Sequence, residues 1–201
     1  MRALLLVDLQ NDFIPGGALA VPAGDAVIAV ANGLMPDYEL VVATQDWHPP
    51  DHKSFASQHP GKAIGDVIAW KGLDQVLWPD HCVQDTHGAS LCEALDTGRI
   101  DAVVCKGTDP DIDSYSGFFD NGPPATRQST GLADLLRDRG VTAVDVMGLA
   151  TDYCVRFTAL DAVSEGFTTR LLLDGCRGVD LEPGNCDRAI DEMRMVGVTL
   201  Q

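Results

Sequence analysis

The amino-acid sequence predicts an α/β fold, a three-layer α/β/α sandwich around a mainly parallel, doubly wound sheet. Short aliphatic runs that are apolar on both faces indicate strands covered by helices on each side of a sheet. Stretches with apolar residues at helical spacing lie between these runs, and glycine or proline marks most of their boundaries. Strands that alternate with helices favour right-handed crossovers, which produce this architecture.

Five segments are predicted to be strands because each is short and aliphatic, and several are rich in valine. They cover residues 3–7, 40–44, 102–105, 143–147 and 169–173. Residues 197–200 give a sixth, terminal strand with a weaker pattern.

Four helices are predicted between the strands, over residues 23–35, 130–139, 152–165 and 183–195. Pro22 and Pro36 bound the first of them, because proline fits a helix start and stops a helix that would continue. A glycine follows each of the other three within two residues, as is typical of helix C-termini.

Residues 45–98 interrupt this alternation. They are rich in His, Pro, Trp and Gly and show little periodicity, which is typical of a functional loop region. Residues 107–126 form a second irregular stretch. Since neither a linker nor an internal repeat is evident, we expect a single domain over residues 1–201.

The chain is strongly acidic, with 14 Lys and Arg against 30 Asp and Glu and a formal net charge of −16. Such a surface repels phosphate backbones and anionic lipids, so we expect no nucleic-acid or membrane partner. The six cysteines form no CxxC pair, which indicates reduced thiols and a cytoplasmic protein. The sequence leaves the oligomeric state open, and a homo-oligomer is compatible with it.

Polar and reactive side chains follow the predicted strands at their carboxyl ends. Asp8 follows the first strand, Asp46 and His48 the second, Lys106 the third, and Cys154 the turn after the fourth. Binding sites of open parallel sheets form at this edge, so we expect these side chains to share one site.

Cys154 lies at the beginning of a predicted helix, where the helix N-terminus is expected to lower the thiol pKa and favour the thiolate. Lys106 and Asp8 directly follow buried strands, where a charge costs desolvation energy unless it has a partner. A purely structural ion pair would satisfy both. With a cysteine at a neighbouring strand end, we predict instead that Cys154 is a nucleophile, Lys106 stabilises its thiolate, and Asp8 transfers the proton.

A metal site is predicted beside this group, in a metal-binding loop region over about residues 45–98. Asp46 and His48 stand two residues apart, so in an extended segment they project to the same side. His81 completes a mixed O/N set that suits one divalent metal ion, Zn, Fe or Mn, and leaves positions open. His52 is a further candidate that spacing does not resolve.

Six motifs occur in order between residues 7 and 154. They are Val7-Asp8-Leu9-Gln10-Asn11-Asp12-Phe13, Asp46-Trp47-His48-Pro49, Trp78-Pro79-Asp80-His81-Cys82, Lys106-Gly107, Tyr115-Ser116-Gly117-Phe118 and Gly148-Leu149-Ala150-Thr151-Asp152-Tyr153-Cys154. Together they resemble the nicotinamidase (pyrazinamidase) branch of the isochorismatase-like cysteine hydrolases. The ordered set is far more specific than any one motif.

The resemblance implies an amidohydrolase that converts nicotinamide to nicotinate and ammonia through a cysteine thioester, acts on pyrazinamide and serves NAD salvage. It implies Asp8, Lys106 and Cys154 as the catalytic triad, in agreement with the prediction from the strand ends. It also implies a cis peptide bond between Leu149 and Ala150, and an oxyanion hole formed by the backbone N–H groups of Ala150 and Cys154.

The resemblance further implies Asp46, His48 and His81 as metal ligands, with His52 where some relatives have a histidine ligand. The substrate of this branch is a small aromatic amide, and the implied pocket is aromatic, formed by Phe13, Trp78 and Tyr115.

Four alternatives stay open at the level of the sequence. A related, metal-independent cysteine amidase would act on a carbamoyl or ureido substrate, and a vinyl-ether hydrolase of the same fold would not need Cys154. A metal-activated water would make Cys154 structural. A binding module for a small molecule or a metal would release no ammonia from any amide.

Overall fold

The core of the protein is a six-stranded sheet in which every strand pair is parallel. The computed structural model describes residues 1–123 and 125–201. The strands of these residues are β1 Arg2–Val7, β2 Val41–Asp46, β3 Val67–Trp70, β4 Leu73–Val76, β5 Ala102–Lys106, β6 Ala143–Leu149, β7 Thr168–Arg177 and β8 Thr199–Leu200. The order in the large sheet is β5-β2-β1-β6-β7-β8, so the predicted α/β fold with a doubly wound sheet is confirmed.

Four helices of the described residues cover this sheet. They are α1 Ala26–Leu34, α2 Leu132–Asp138, α3 Arg156–Ser164 and α4 Asn185–Met195. Their apolar side chains pack against the strands of the sheet, and Leu4, Leu5 and Leu6 of β1 are fully buried between the layers. Burial on both faces explains why the strands are apolar without alternation.

The topology places a crevice between β1 and β6. From β1 the chain winds towards β2 and β5, whereas from β6 it winds the other way towards β7 and β8. Loops leave this switch point in opposite directions, and the space between them is the usual binding site of an open parallel sheet. Asp8 follows β1 and Cys154 follows β6, so both lie at this crevice.

Several predicted boundaries differ from the structure. The first helix was expected from residue 23 but begins at Ala26, because Ala23 has φ +53° and cannot belong to a right-handed helix. β7 continues to Arg177, well beyond the predicted residue 173, because Cys176 pairs with Gly148 on β6 across an irregular register. The predicted third helix opens with one π-helical turn, Thr151–Val155, before α3.

Residues 45–98 contain a β-hairpin that the sequence analysis did not predict. β3 and β4 pair antiparallel, and Lys71 and Gly72 both have positive φ, as a two-residue hairpin turn requires. The expectation of an irregular loop was therefore wrong for these ten residues, which form regular structure. A Lys-Gly turn between two four-residue strands is a weaker signal than Asn-Gly. Pro124, in the second predicted irregular stretch, lies outside the described residues.

Within the described residues, no helix combines the length and the apolar character needed to cross a lipid bilayer.

Gly148, near the end of β6, is in a position that only glycine tolerates. Its φ is +131°, and a Cβ built there would lie 2.1 Å from the carbonyl oxygen of Val7. Both the dihedral angle and the space therefore exclude a side chain, and this close approach brings the ends of β1 and β6 together.

We expect Gly148→Ala to lower the free energy of unfolding by about 2–4 kcal/mol, because the backbone of Val7 must move to admit the methyl group. Urea titration followed by circular dichroism measures this change. The matched control is Gly33→Ala in α1, where nothing lies within 4 Å of the new Cβ and φ is ordinary. The free energy of unfolding of that variant should rise by about 0.5–1 kcal/mol. Equal stability of the two variants would contradict the packing of β1 against β6.

Candidate active site

The carboxyl ends of four adjacent strands deliver the predicted side chains to one place. Asp46 and Lys106 are the last residues of β2 and β5 and pair with each other in register. Asp8 follows β1 with φ +52°, and Cys154 lies in the π-helical turn after β6. All four side chains are buried.

Lys106 contacts each of the other three residues of this group. Its Nζ lies 3.0 Å from Oδ2 of Asp8 and 3.5 Å from Sγ of Cys154. The same ammonium donates to the carbonyl oxygen of Ser114 at 2.9 Å and to Oδ1 of Asp46. The structure thus brings the three predicted triad residues together, while their catalytic roles stay a prediction. It also joins them to Asp46, a predicted metal ligand, which the sequence did not indicate.

Burial governs protonation in the triad. Desolvation raises the pKa of Asp8, although Lys106 opposes the shift. Desolvation also raises the pKa of Cys154 well above its ordinary value, with Lys106 lowering it and Asp8 raising it. The expectation that the pKa of this thiol is lowered was therefore wrong, because burial outweighs the effect of the helix N-terminus. Desolvation would lower the pKa of Lys106, but Asp46 and Asp8 raise it well above the usual range, so the amine stays charged.

Thr44 fixes the orientation of Asp8. Its Oγ1 accepts a hydrogen bond from the backbone N–H of Asp8 at 3.2 Å and donates one to Oδ1 of Asp8 at 2.6 Å. Oδ2 is thereby left facing Lys106 and Cys154. Sequence reasoning missed Thr44, because only the pairing of β1 with β2 places it beside Asp8.

Asp46, His48 and His81 form the predicted metal set. One potential ligand atom from each lies within 4.8 Å of the other two, and all three side chains are buried. Oδ2 of Asp46 is 3.7 Å from Nε2 of His48 and 4.0 Å from Nε2 of His81. These separations leave space for an ion between the three atoms.

The hydrogen bonds of the two histidines define their tautomers. Nδ1 of His48 lies 2.8 Å from the carbonyl oxygen of Gly107, and Nδ1 of His81 lies 2.7 Å from that of Pro79. A carbonyl oxygen only accepts, so each Nδ1 carries a proton, and the Nε2 atoms, which face Asp46, are the ring atoms available to a metal. Among the described residues Nε2 of His48 has no hydrogen-bond partner, although it is buried. This donor set fits a divalent metal ion.

Burial lowers the pKa of these two histidines, whereas the charge of Asp46 raises it. Desolvation lowers the pKa of His81, and His48 lowers it further. Desolvation would also lower the pKa of His48, but the carboxylate of Asp46 raises it above its usual value. Desolvation would raise the pKa of Asp46, yet Lys106 and His48 hold it well below its ordinary range.

His52 lies beside the metal set rather than within it. Its ring stacks on that of His48 with centroids 4.2 Å apart, and it groups with His48 and Asp113. Nδ1 contacts Oγ of Ser54 at 2.7 Å, and Nε2 lies 3.4 Å from the carbonyl oxygen of Ile112. Burial lowers the pKa of His52 to about 4, so the ring is neutral near pH 7. Both nitrogens are engaged by the protein, which disfavours His52 as the fourth ligand.

Two residues that the sequence analysis left without a role position the metal set. Gln10 donates to the carbonyl oxygen of Asp46 and accepts from its N–H, both at 2.8 Å. Gly107 has φ +62°, and a Cβ there would lie 2.4 Å from Cε1 of His48. Glycine at this position therefore lets the carbonyl group hold the imidazole.

An aromatic cavity opens onto both groups. The predicted pocket residues Phe13, Trp78 and Tyr115 line it, together with Cys154, Asp46 and His81. Tyr153 also lines it, with its ring edge-on to Trp78 at 5.0 Å, as do Leu19, Val21 and Asp113; the sequence analysis did not identify these four.

The predicted oxyanion hole lies at the bottom of the same cavity. The bond between Leu149 and Ala150 is cis, as the resemblance implied. Ala150 and Cys154 both line the cavity. Their roles as oxyanion donors stay a prediction.

A buried thiol, lysine and aspartate beside a set of N and O donors, at the switch point of a parallel sheet, are an arrangement typical of an α/β hydrolase. The chain matches the isochorismatase domain over residues 2–201, and it belongs to that family.

Relatives within the family support a narrower class. The chain is 52% identical to the nicotinamidase of Escherichia coli over 99% of its own length and 93% of that protein. An Acinetobacter baumanii nicotinamidase pyrazinamidase shares its fold with a TM-score of 0.94 and 44% identity, over 99% and 94% of the two chains. A pyrazinamidase of Pyrococcus horikoshii in complex with zinc shares the fold with a TM-score of 0.76 and 38% identity. The match covers 100% of this chain and 98% of that chain. The predicted resemblance to nicotinamidases and the predicted amidohydrolase class are confirmed.

We expect Asp8→Asn to accelerate alkylation of Cys154 several-fold near neutral pH in the metal-free protein. The negative charge of Asp8 raises the thiol pKa, so its removal increases the thiolate fraction. Peptide-resolved mass spectrometry after timed iodoacetamide treatment measures the rate across a pH series. Cys92, whose pKa of about 11 is raised by burial alone, is the internal control and should react equally in both proteins. A slower reaction of Cys154 would contradict the assigned electrostatics.

Proposed function

We propose that this protein is a nicotinamidase, which hydrolyses nicotinamide to nicotinate and ammonia and also accepts pyrazinamide. The observation that carries the proposal is one aromatic cavity lined by both the thiol of Cys154 and the metal set around Asp46. The similarity to nicotinamidases over nearly the full length supports the same activity.

The cavity suits a flat aromatic amide. Phe13, Trp78 and Tyr115 supply apolar faces for the ring, and Trp78 donates to the hydroxyl of Tyr115 at 3.2 Å, which fixes both side chains. The cavity extends from His81 to Cys154, so a ring held at the metal end directs its carboxamide towards the sulfur.

In the first chemical step, the sulfur of Cys154 attacks the carboxamide carbon while Asp8 takes the thiol proton. The carbonyl π electrons move to oxygen, and the N–H groups of Ala150 and Cys154 stabilise the resulting oxyanion. The C–N bond then breaks, Asp8 returns the proton to the leaving nitrogen, and ammonia departs from a thioester. Lys106 keeps its charge throughout and stabilises the thiolate as it forms.

The second step returns the enzyme to its initial state. Asp8, again a carboxylate, accepts a proton from a water molecule whose oxygen attacks the thioester carbon. The C–S bond breaks and the proton on Asp8 returns to the sulfur. The product leaves as nicotinic acid and becomes nicotinate by losing its carboxyl proton to solvent. The raised pKa of both groups suits this exchange, because neither holds its charge strongly once buried.

Asp46, His48 and His81 would hold one divalent metal ion, Zn, Fe or Mn, and the related zinc-bound pyrazinamidase supports this. When bound, the ion supplies Lewis acidity that orients the pyridine nitrogen and polarises water.

The metal set also favours this function over the metal-independent carbamoyl or ureido amidase. Nε2 of His48 is buried and has no hydrogen-bond partner among the described residues, and a bound cation would offset the free-energy cost of such an atom.

The proposed cellular role is NAD salvage in the cytosol, where nicotinate is re-used. All six cysteines of the chain are free, which is typical of proteins in a reducing compartment.

We expect Cys154→Ala to lower nicotinamide turnover by roughly 10⁴-fold or more, because Cys154 supplies the only thiol among the described residues that line the cavity. Asp8→Asn should also abolish turnover, although it makes the thiol more reactive. An ammonia-release assay with nicotinamide measures both variants. The control is Cys105→Ser, which replaces an exposed thiol next to Lys106 in sequence and should keep full activity.

The same assay distinguishes the covalent route from attack by a metal-activated water. Hydroxylamine should trap the thioester as a hydroxamate in the wild-type protein and not in Cys154→Ala. Full activity after complete alkylation of Cys154 would refute the thioester.

We expect chelation to remove most activity, and added Zn²⁺ or Mn²⁺ to restore it. Metal affinity should fall as the pH falls, because the raised pKa of His48 means that protons compete for this ring at higher pH than for an ordinary histidine. Ammonia release after dialysis against a chelator, and metal titration at several pH values, measure the two effects. Undiminished activity in a demonstrably metal-free sample would contradict the metal site.

A further inference from the structure

Asp113 is a buried carboxylate that lines the cavity and has no part in the mechanism above. Its relative exposure is 5%, and it lies in the loop after β5. One of its oxygens lies within 4.8 Å of a ring nitrogen of His48 and of one of His52. It therefore lies next to the metal set, near the ligand His48.

Asp113 lacks a cationic partner in the part of the chain that the structure describes. Lys106 pairs with Asp8 and Asp46, and Lys71 pairs with Asp111. A buried negative charge without a counter-charge is costly, so a position like this needs a cation that the protein itself does not supply.

The side chain is held as an acceptor by two hydrogen bonds. Nε2 of Gln75 donates to Oδ2 of Asp113 at 2.9 Å, and the backbone N–H of Ser114 donates to Oδ1 at 2.8 Å. Gln75 is itself buried and belongs to β4 of the unpredicted hairpin. Both oxygens accept, as in a charged carboxylate, and each keeps lone pairs for a further contact.

The charges around the metal set show what Asp113 adds. Asp8 and Asp46 carry two negative charges, and Lys106 cancels one of them. Asp113 raises the remaining negative charge from one to two, and this charge balances that of a divalent cation. Among the described residues, Asp113 has an oxygen within 4.8 Å of a nitrogen of His48, but it does not share that range with Asp46 and His81 together. Because ligands on opposite sides of one ion lie about 4–4.5 Å apart, this arrangement does not make Asp113 a direct ligand of the same ion.

We propose that Asp113, oriented by Gln75, is an outer-shell carboxylate of the metal site that strengthens its affinity for a divalent cation. It acts by charge and through solvent bound to the cation, as outer-shell partners do at other metal sites. The hairpin β3–β4 thereby acquires a role, since it delivers the amide that fixes the carboxylate. The inference rests on the proposed metal site.

The test is the affinity of the full-length, metal-stripped protein for Zn²⁺ and Mn²⁺, measured by competition with a chromophoric chelator. Asp113→Asn should weaken binding roughly 10- to 100-fold, the usual effect of losing an outer-shell partner. Gln75→Met keeps the carboxylate but removes its donor, and should weaken binding by a smaller factor in the same direction. Urea unfolding of the metal-free variants shows that each is folded.

The matched control is Asp111→Asn. It removes one negative charge two residues away, but from an exposed side chain paired with Lys71. Its affinity should equal that of the wild type. Wild-type affinity in Asp113→Asn, or an equal loss in Asp111→Asn, would overturn the inference. Where Asp113→Asn does not fold, unchanged affinity in Gln75→Met overturns it. Failure of the wild type to bind either metal would instead refute the proposed metal site itself.

Discussion

The buried ammonium of Lys106 is the interaction on which the site depends. Moving a charge from water into the interior costs several kcal/mol, and here two carboxylates, Asp8 and Asp46, offset that cost. The same group contacts the sulfur of Cys154. It therefore balances the charge of the triad, and it connects the thiol to the metal set. Without it, two carboxylates and a thiol would face one another in a region of low dielectric constant, and either carboxylate would tend to take up a proton.

The sheet order makes this convergence unavoidable. Parallel strands present their carboxyl ends at one edge, and β5, β2, β1 and β6 are consecutive neighbours, so four chain segments deliver one functional group each. The reversal of winding between β1 and β6 leaves a crevice above them, and the aromatic cavity lies there. Gly148 permits the close approach of these two strands, so the glycine of the Gly148–Cys154 turn serves the packing of the sheet while the cysteine serves the chemistry.

Hydrogen bonds to main-chain groups, in addition to helices and strands, hold the metal-binding residues of the segment 45–98 in place. Carbonyl groups of Gly107 and Pro79 hold the rings of His48 and His81, and Gln10 holds the main chain of Asp46. A metal set that is oriented in advance by main-chain groups loses little freedom when a cation binds. Strand ends thus place the reactive groups and Asp46, whereas the two histidines lie on loops that main-chain groups anchor.

The sequence by itself determined the fold class and the strands of the sheet, and it predicted the residues of the triad and the metal set; the aromatic pocket followed only from the resemblance that the motifs carry. It could do so because strand ends and ordered motifs depend on local pattern. Tertiary structure decided the rest. Thr44 beside Asp8, and Gln75 beside Asp113, are contacts between distant segments that leave no local signal. The thiol pKa of Cys154 also escaped prediction, because its helix position favours the thiolate whereas burial, a property of the packed molecule, has the larger effect.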